Sequence, residues 1–428
     1  MPKVAFIGAG SVVFARRLLL DMFSFPELQD STISLMDINA ERLGMITQWA
    51  ERIVADKGFP AKVESTLDRR MALDGADYVV IMIQVGGLEA FEKDIEIPLS
   101  YGIDQTVGDT LGPGGVFRAL RTIPVLVSVC RDMEKLCPDA LLLNYANPKA
   151  MNCWGMNEGS GIANVGLCHS VQGTAGSLAS YIGAPYEEVS YWVAGINHMS
   201  WFLEFKRNGK DAYPALREAM DDPEIFARDK VRFEIMRHFG CFVTESTHHM
   251  SEYVPYFRKR KELIEEFVTP RWDYLQLCKQ NWEPHYEAIR KEALGESPVE
   301  INRSHEYGTY IIHSMETGEP CRVNGNVRNT GLITNLPGGC CVEVPILVDK
   351  TGLRPCYVGD LPPQCASLNR SNINVQELAA QAALEGDRDK ARMAVAFDPL
   401  TSALLDLRQI RSMVDKMFAA EKEWLPQF

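Results

Sequence analysis

The chain has 428 residues, 46% of them apolar and 24% charged, which predicts a folded protein of two domains and excludes a disordered or fibrous chain. A formal charge of −13 gives no strong positive field, so neither nucleic acid nor an anionic membrane is an expected partner. No apolar run is long enough to span a bilayer, the opening residues lack signal-peptide features, and the eleven cysteines are irregularly spaced, so a reduced, cytoplasmic protein is expected.

In chain order, Val4-Ala5-Phe6-Ile7 is a short apolar run that leads into Gly8-Ala9-Gly10-Ser11 and a helical pattern from Val12 to about Phe23, and so reads as strand, turn and helix. Ile33-Ser34-Leu35-Met36 forms the next strand and ends on Asp37, after which Asn39 caps a helix carrying Leu43, Ile46 and Trp49. Further strands are predicted at 78–83, 140–143 and 165–167. Strands alternating with helices imply a doubly wound parallel sheet covered on both faces, the Rossmann-type α/β arrangement. Beyond about residue 195 the pattern becomes mixed, with a helix at 229–239, a strand at 341–348 and helices near 375–385 and 402–419. This divides the chain into a nucleotide-binding domain, 1–195, and a mixed α/β domain, 196–428, that carries substrate and oligomer contacts. The basic run Arg258-Lys259-Arg260-Lys261 reads as a solvated loop after Pro255.

Gly8-x-Gly10 between a strand and a helix lets the backbone approach a pyrophosphate, while Ser11 and the helix N-terminus offer free donors and a positive dipole end. Asp37 ends the second strand, where a carboxylate accepts from an adenosine ribose and favours NAD over its 2′-phosphorylated form. Val13 stands where the full fingerprint has its third glycine. Polar residues also gather where later strands end, at 109–115, 144–148, 166–170 and 195–199, and open α/β sheets bind ligands beyond those ends. By spacing alone, Cys168 and His198 match no metal-ligand pattern, and Asn147 before Pro148 fits a turn as well as a ligand contact.

Together these segments resemble glycoside hydrolase family 4, the NAD- and Mn-dependent glycosidases, through nearly the whole chain. The likeness is carried by Phe6-Ile7-Gly8-Ala9-Gly10-Ser11, Asn147-Pro148, Cys168-His169-Ser170, Gly195-Ile196-Asn197-His198, Asn335-Leu336-Pro337 and Val342-Glu343-Val344. Thr110 to Gly115, Arg118 to Pro124 and Thr244-Glu245-Ser246 resemble the α-galactosidase (melibiase) branch. The resemblance implies a lactate/malate-dehydrogenase-like second domain and a homodimer or homotetramer. It also implies that Cys168 and His198 bind Mn²⁺, with Fe²⁺, Co²⁺ or Ni²⁺ as substitutes, and leave the remaining positions to sugar hydroxyls.

The reaction so implied oxidises C3 of the sugar with NAD, removes the C2 proton, eliminates the C1 leaving group, adds water and then reverses, so no carboxylate pair is sought. Asp109 is expected to protonate the leaving group, and Glu245, His249 and Tyr253 are candidates for the C2 base, since the tyrosine used in other branches has no direct match. Asn147 and His169 are assigned to sugar contacts. Arg118 and Arg121, one helical turn apart, are expected to face the same ligand. Another α-glycoside, whether a glucoside, a uronide or a 6-phospho-glycoside, is the alternative substrate. A plain 2-hydroxy-acid dehydrogenase and a catalytically silent NAD sensor are rival readings, separated from a glycosidase by NADH accumulation and by the absence of sugar turnover.

Overall fold

The structure, a computed structural model, describes residues 1–428 apart from the side chain of Val12. Twelve strands build one sheet: β1 Lys3–Ile7, β2 Thr32–Met36, β3 Lys62–Thr66, β4 Tyr78–Ile81, β5 Leu141–Asn144, β6 Asn164–Gly166, β7 Val189–Ile196, β8 Met199–Arg207, β9 Lys210–Asp211, β10 Cys321–Arg328, β11 Cys341–Asp349 and β12 Gly352–Pro355. The first six lie parallel in the order β3-β2-β1-β4-β5-β6, each pair in the register expected of a Rossmann sheet. β4 and β5 are buried along their whole length, which is why they read as continuous apolar runs instead of alternating ones. Helices α1 Val12–Phe23, α2 Ala40–Lys57, α3 Arg69–Leu73, α4 Gly87–Leu99, α5 Gly112–Leu136, α6 Lys149–Gly159 and α7 Ser170–Tyr181 connect and cover these strands.

The sheet does not stop at the change in sequence pattern near residue 195. It continues antiparallel as β10-β11-β7-β8-β9, with β12 on the side of β11. β10 joins β6 through Asn326 opposite Gly166, and β11 joins β7 through Glu343 opposite Gly195. The chain therefore returns more than a hundred residues later to insert two strands between β6 and β7. That insertion positions the site, because Cys168 lies just beyond β6 and His198 just beyond β7.

Several expected elements take different bounds. The helix expected at 229–239 runs Lys230–Phe239, and that near 375–385 is the end of a longer helix, Pro363–Glu385, whose first turns carry polar Asn369 and Asn372 inward to protein partners. The helix at 402–419 is two helices, Pro399–Leu404 and Leu407–Ala420, because Asp406 and Gln409 form a reciprocal capping box that starts the second. A helix missed in the sequence, Tyr274–Leu294, packs on α2: Arg42 stacks over the Trp282 ring at 4.2 Å, Tyr286 donates to Glu41 at 3.1 Å, and Glu292 accepts from Arg16 and Trp49. The basic run is not a uniformly solvated loop. Arg258 is 3% exposed and donates to Ser251 Oγ, Asp104 O and Thr106 Oγ1, so its first residue is a buried tie between two loops.

Candidate active site

At the carboxyl end of β1 the backbone is shaped by what cannot fit there. Gly8 has φ +90°, and a Cβ on it would fall 2.9 Å from Ile83 Cγ2. A Cβ on Gly10 would fall 2.7 Å from Asp37 Oδ2, the oxygen that accepts from the Gly10 N–H at 2.8 Å. The other Asp37 oxygen accepts from the Asn39 N–H at 2.8 Å, and Asn39 caps α2 as expected. Two glycines, a bare backbone turn and a fixed carboxylate at the ends of adjacent parallel strands form a cradle that fits a dinucleotide.

The second group of residues lies at the ends of β5, β6 and β7. His198 occupies the two-residue turn between β7 and β8 with φ +63°. Among the described residues only three besides glycines have positive φ, and two of them, His198 and Glu245, belong to this site, so backbone strain is concentrated here. Cys168 Sγ and His198 Nε2, both buried, stand 3.3 Å apart. Metal–sulfur and metal–nitrogen bonds of about 2.3 and 2.1 Å would put two ligand atoms about 3.1 Å apart at a right angle and about 3.6 Å apart at a tetrahedral angle. The pair therefore fits one divalent ion. No third His, Cys, Asp or Glu completes a three-donor cluster with them among the described residues. Asn197, fully buried beside His198, has neither amide atom bonded within the described residues, which marks the site as one that takes a polar ligand.

On the other side of His198, the short helix Thr247–Tyr253 presents His249 and Tyr253 from successive turns. His198 Nδ1 meets His249 Nε2 at 3.0 Å and the Tyr253 hydroxyl at 3.2 Å. The helix is started by Ser246, whose hydroxyl accepts from the His249 N–H. Glu252, on the same helix, lies 3.4 Å from His249 Nδ1 and accepts from the Thr106, Val107 and Gly108 N–H groups at 2.6, 2.9 and 3.0 Å. It thus clamps the loop that delivers Asp109. Asp109 Oδ1 accepts from Thr110 at 2.7 Å, and Oδ2 accepts from Asn147 Nδ2 at 2.8 Å.

These groups set one another's charge. Burial would raise the Asp109 carboxyl, but the charges of Arg118 and His249, with the Thr110 and Asn147 hydrogen bonds, bring it down to about 2. Glu245 is likewise brought down to about 2, burial being outweighed by His198, His249 and the Ser246 hydrogen bond. Burial alone would depress His249, yet the Glu252 hydrogen bond and charge, with Glu245 and Asp109, raise it to about 9. His198 falls to about 4, mainly through burial, and is a neutral imidazole, the form that a metal ligand needs. Glu343 is raised to about 7 by burial and by Cys168, although Ser200 and Asn326 hydrogen-bond to it.

The structure therefore gathers Asp109, Asn147, Cys168, His198, Glu245, His249 and Tyr253, with Arg118 at the margin, 4.0 Å from Asp109 Oδ2. It does not bring in Arg121. That guanidinium is fully buried against Asp94 and Glu421, both at 2.9 Å, and donates to Val85 O, so the expectation that Arg118 and Arg121 face one ligand fails. One helical turn aligns two α-carbons but does not choose the long side chains' partners. His169 stands just before α7 without capping it, its ring 61% exposed, 3.6 Å from Glu306 and apart from the hydrogen bonds of the cluster. The expectation that Asp109 donates a proton meets a carboxyl held ionised. Glu252, Lys149 and Glu343 were missed as site residues. Glu252 had a sequence signal in its i, i+3 spacing from His249 on one helix face, and Glu343 in the Val342-Glu343-Val344 motif that carries the resemblance.

Comparison with known proteins places this geometry. Residues 3–184 match the family described as family 4 glycosyl hydrolase, and residues 193–401 match the family 4 glycosyl hydrolase C-terminal domain. An alpha-galactosidase of Bacillus subtilis (strain 168) is 43% identical over the full length of both chains. An alpha-galactosidase of Rhizobium meliloti (strain 1021) is 40% identical, covering 100% of this chain and 89% of the relative. The fold matches the 6-phospho-beta glucosidase of Thermotoga maritima, solved with manganese, NAD+ and glucose-6-phosphate, at a TM-score of 0.84, 22% identity and 99% coverage of each chain.

Proposed function

The chain belongs to glycosyl hydrolase family 4, and we propose that it is an NAD- and divalent-metal-dependent α-galactosidase. The observation that carries this reading is a buried thiol–imidazole pair 3.3 Å apart, in a chain that also holds a dinucleotide cradle and is 43% identical to an α-galactosidase from end to end. Gly8, Gly10, Ser11 and Asp37 would hold the dinucleotide, and Cys168 and His198 would hold Mn²⁺ or a similar ion. When bound, these groups supply a hydride acceptor for C3 of the sugar and a Lewis acid for the oxygens beside it.

The protein's own part is to handle protons and hold the ring. Once C3 is a ketone, the C2 proton is acidic, and loss of the C1 group by elimination needs an acceptor for that proton and a donor for the departing oxygen. Glu245, His249 and Tyr253 surround the imidazole of His198 and are the acceptors and donors at hand. His249 is the one with a carboxylate behind it, since Glu252 stands 3.4 Å from its Nδ1 and Nε2 is turned to His198 and Tyr253. Asp109, ionised and tied to Asn147, orders that amide and draws Arg118 to the site margin. A thiolate ligand is easily oxidised, which suits a reducing cytoplasm, and the enzyme is read as a homodimer or homotetramer acting on a small sugar.

The test is hydrolysis of nitrophenyl α- and β-glycosides of galactose, glucose, galacturonic acid and 6-phospho-sugars, with NAD⁺, Mn²⁺ and thiol present. Turnover of the α-galactoside that disappears when NAD⁺ or Mn²⁺ is withheld is the expected result. Preference for a uronide or a phosphorylated sugar would overturn the substrate, and turnover without NAD⁺ would overturn the chemistry.

A further inference from the structure

Lys149 is the first residue of α6 and is 6% exposed. Its ammonium donates to Asn147 Oδ1 at 2.7 Å, and that is its only hydrogen bond among the described residues. No Asp or Glu lies within ion-pair distance of it among the described residues, although buried ammonium groups ordinarily pair with a carboxylate. It also sits at the N-terminal, positive end of a helix, where a cation is disfavoured. A lysine placed against two electrostatic preferences, with donors to spare, signals a partner that the protein itself does not provide.

The position of that missing partner follows from the neighbours. Asn147 links Lys149 to Asp109, with Oδ1 taken by the ammonium and Nδ2 given to the carboxylate, so the three side chains form one row at the end of β5. β5 and β6 end side by side, with Asn144 opposite Gly166 and the Leu167 N–H donating to Asn144 O at 2.9 Å, so the row stands next to the segment that carries Cys168. Lys149 therefore borders the region where the Cys168–His198 pair meets the Asp109 carboxylate. Both amide atoms of Asn147 are engaged within the protein, which leaves Lys149 as the free donor of this row.

Resting on the α-galactosidase reading, we propose that Lys149 is a substrate-binding and specificity-determining residue, whose unpartnered N–H groups hold a hydroxyl oxygen of the sugar beside the metal pair. A charged donor takes an oxygen far better than a deoxy or fluorinated position, so the residue selects for a hydroxyl there. It also fixes the Asn147 amide, which then presents Nδ2 to Asp109.

The test compares wild type with Lys149→Met, an apolar side chain of similar length, and with Lys149→Arg, all loaded with NAD⁺ and Mn²⁺. With the glycoside that the wild type turns over, Lys149→Met is expected to raise KM about tenfold or more, and to weaken calorimetric binding of the free sugar product by a similar factor. NAD⁺ affinity should stay within twofold, and the thermal midpoint should be unchanged or higher, because an unpaired buried charge has gone. Lys149→Arg should recover part of the sugar affinity. A merely structural lysine would lower the midpoint in Lys149→Met and leave sugar affinity alone, and either that result or KM and product affinity within twofold of wild type overturns the proposal. If Lys149→Met does not fold, Lys149→Gln, which keeps a donor without the charge, is read in the same way. Wild-type turnover of a glycoside other than an α-galactoside would overturn the substrate reading while leaving Lys149 to be judged on that glycoside. Absence of turnover on every glycoside would overturn both.

Discussion

Replacing Glu252 by glutamine changes one oxygen for an NH2 group and should affect stability and catalysis together. In the native protein Oε1 accepts from the Thr106 and Val107 N–H groups and Oε2 from Gly108, with His249 and Arg258 close by, and the residue is 1% exposed. An amide must set its NH2 against at least one of these buried donors and removes the charge that faces two cations. Breaking a buried ionic cluster from one side costs about 3–5 kcal/mol. The carboxyl gives a second measure. Burial would raise it, but the His249 bond, the Arg258 charge and the backbone donors lower it from 4.5 to about 2, a difference worth about 3 kcal/mol. Because the folded value is depressed, this stability is present above pH 4.5 and is lost as pH falls from 4.5 towards 2.

For a chain of 428 residues the unfolding entropy is roughly 0.9 kcal/mol per kelvin. Glu252→Gln should therefore lower the thermal midpoint by about 3–5 °C at pH 7, and the gap to wild type should narrow below pH 4.5 in calorimetric scans. Activity should fall by about a hundredfold or more, since Asp109 and His249 lose their common anchor, while NAD⁺ affinity stays near normal. A folded variant within 1 °C and threefold in kcat/KM of wild type would refute the clamp. So would a gap in midpoint that grows on acidification.

Cys168→Ser and His198→Ala should each abolish turnover and Mn²⁺ binding measured by paramagnetic resonance, with NAD⁺ titrations unchanged, because the cradle lies apart from the pair. Asp37→Ala should weaken NAD⁺ binding about tenfold and relax discrimination against the 2′-phosphorylated cofactor, as competitive titration would show. Arg121→Met leaves Asp94 and Glu421 facing each other in the interior, so it should cost about 3–5 kcal/mol in denaturant unfolding, with KM for the sugar little changed. Hydrolysis in heavy water should give sugar bearing deuterium at C2, read by proton NMR. Unlabelled sugar together with activity that survives NAD⁺ removal would exclude the oxidative route.

What the sequence determined by itself is local. Val4–Ile7 running into Gly8-x-Gly10, and Met36 into Asp37, specify strand ends and a turn that only glycine fits, because those constraints act between residues close in the chain or on the neighbouring strand. Asn39 as a helix cap and the apolar runs of β4 and β5 were legible for the same reason. The resemblance supplied Cys168 and His198 as a pair, whereas their spacing said nothing. Their meeting depends on β10 and β11 returning to pair with β6 and β7. Tertiary structure alone decided the fate of the charged residues. Arg118 and Arg121 share a helix and a spacing, yet one borders Asp109 and the other is consumed by Asp94 and by Glu421, three hundred positions away. Arg258 reads as solvated and is buried, while Lys149 carried no signal at all and is bonded to Asn147 with no carboxylate partner among the described residues. A hydrophobic period is written into neighbouring residues, but the partner of a buried charge is chosen by whichever distant segment the fold brings within reach, and no local pattern records that choice.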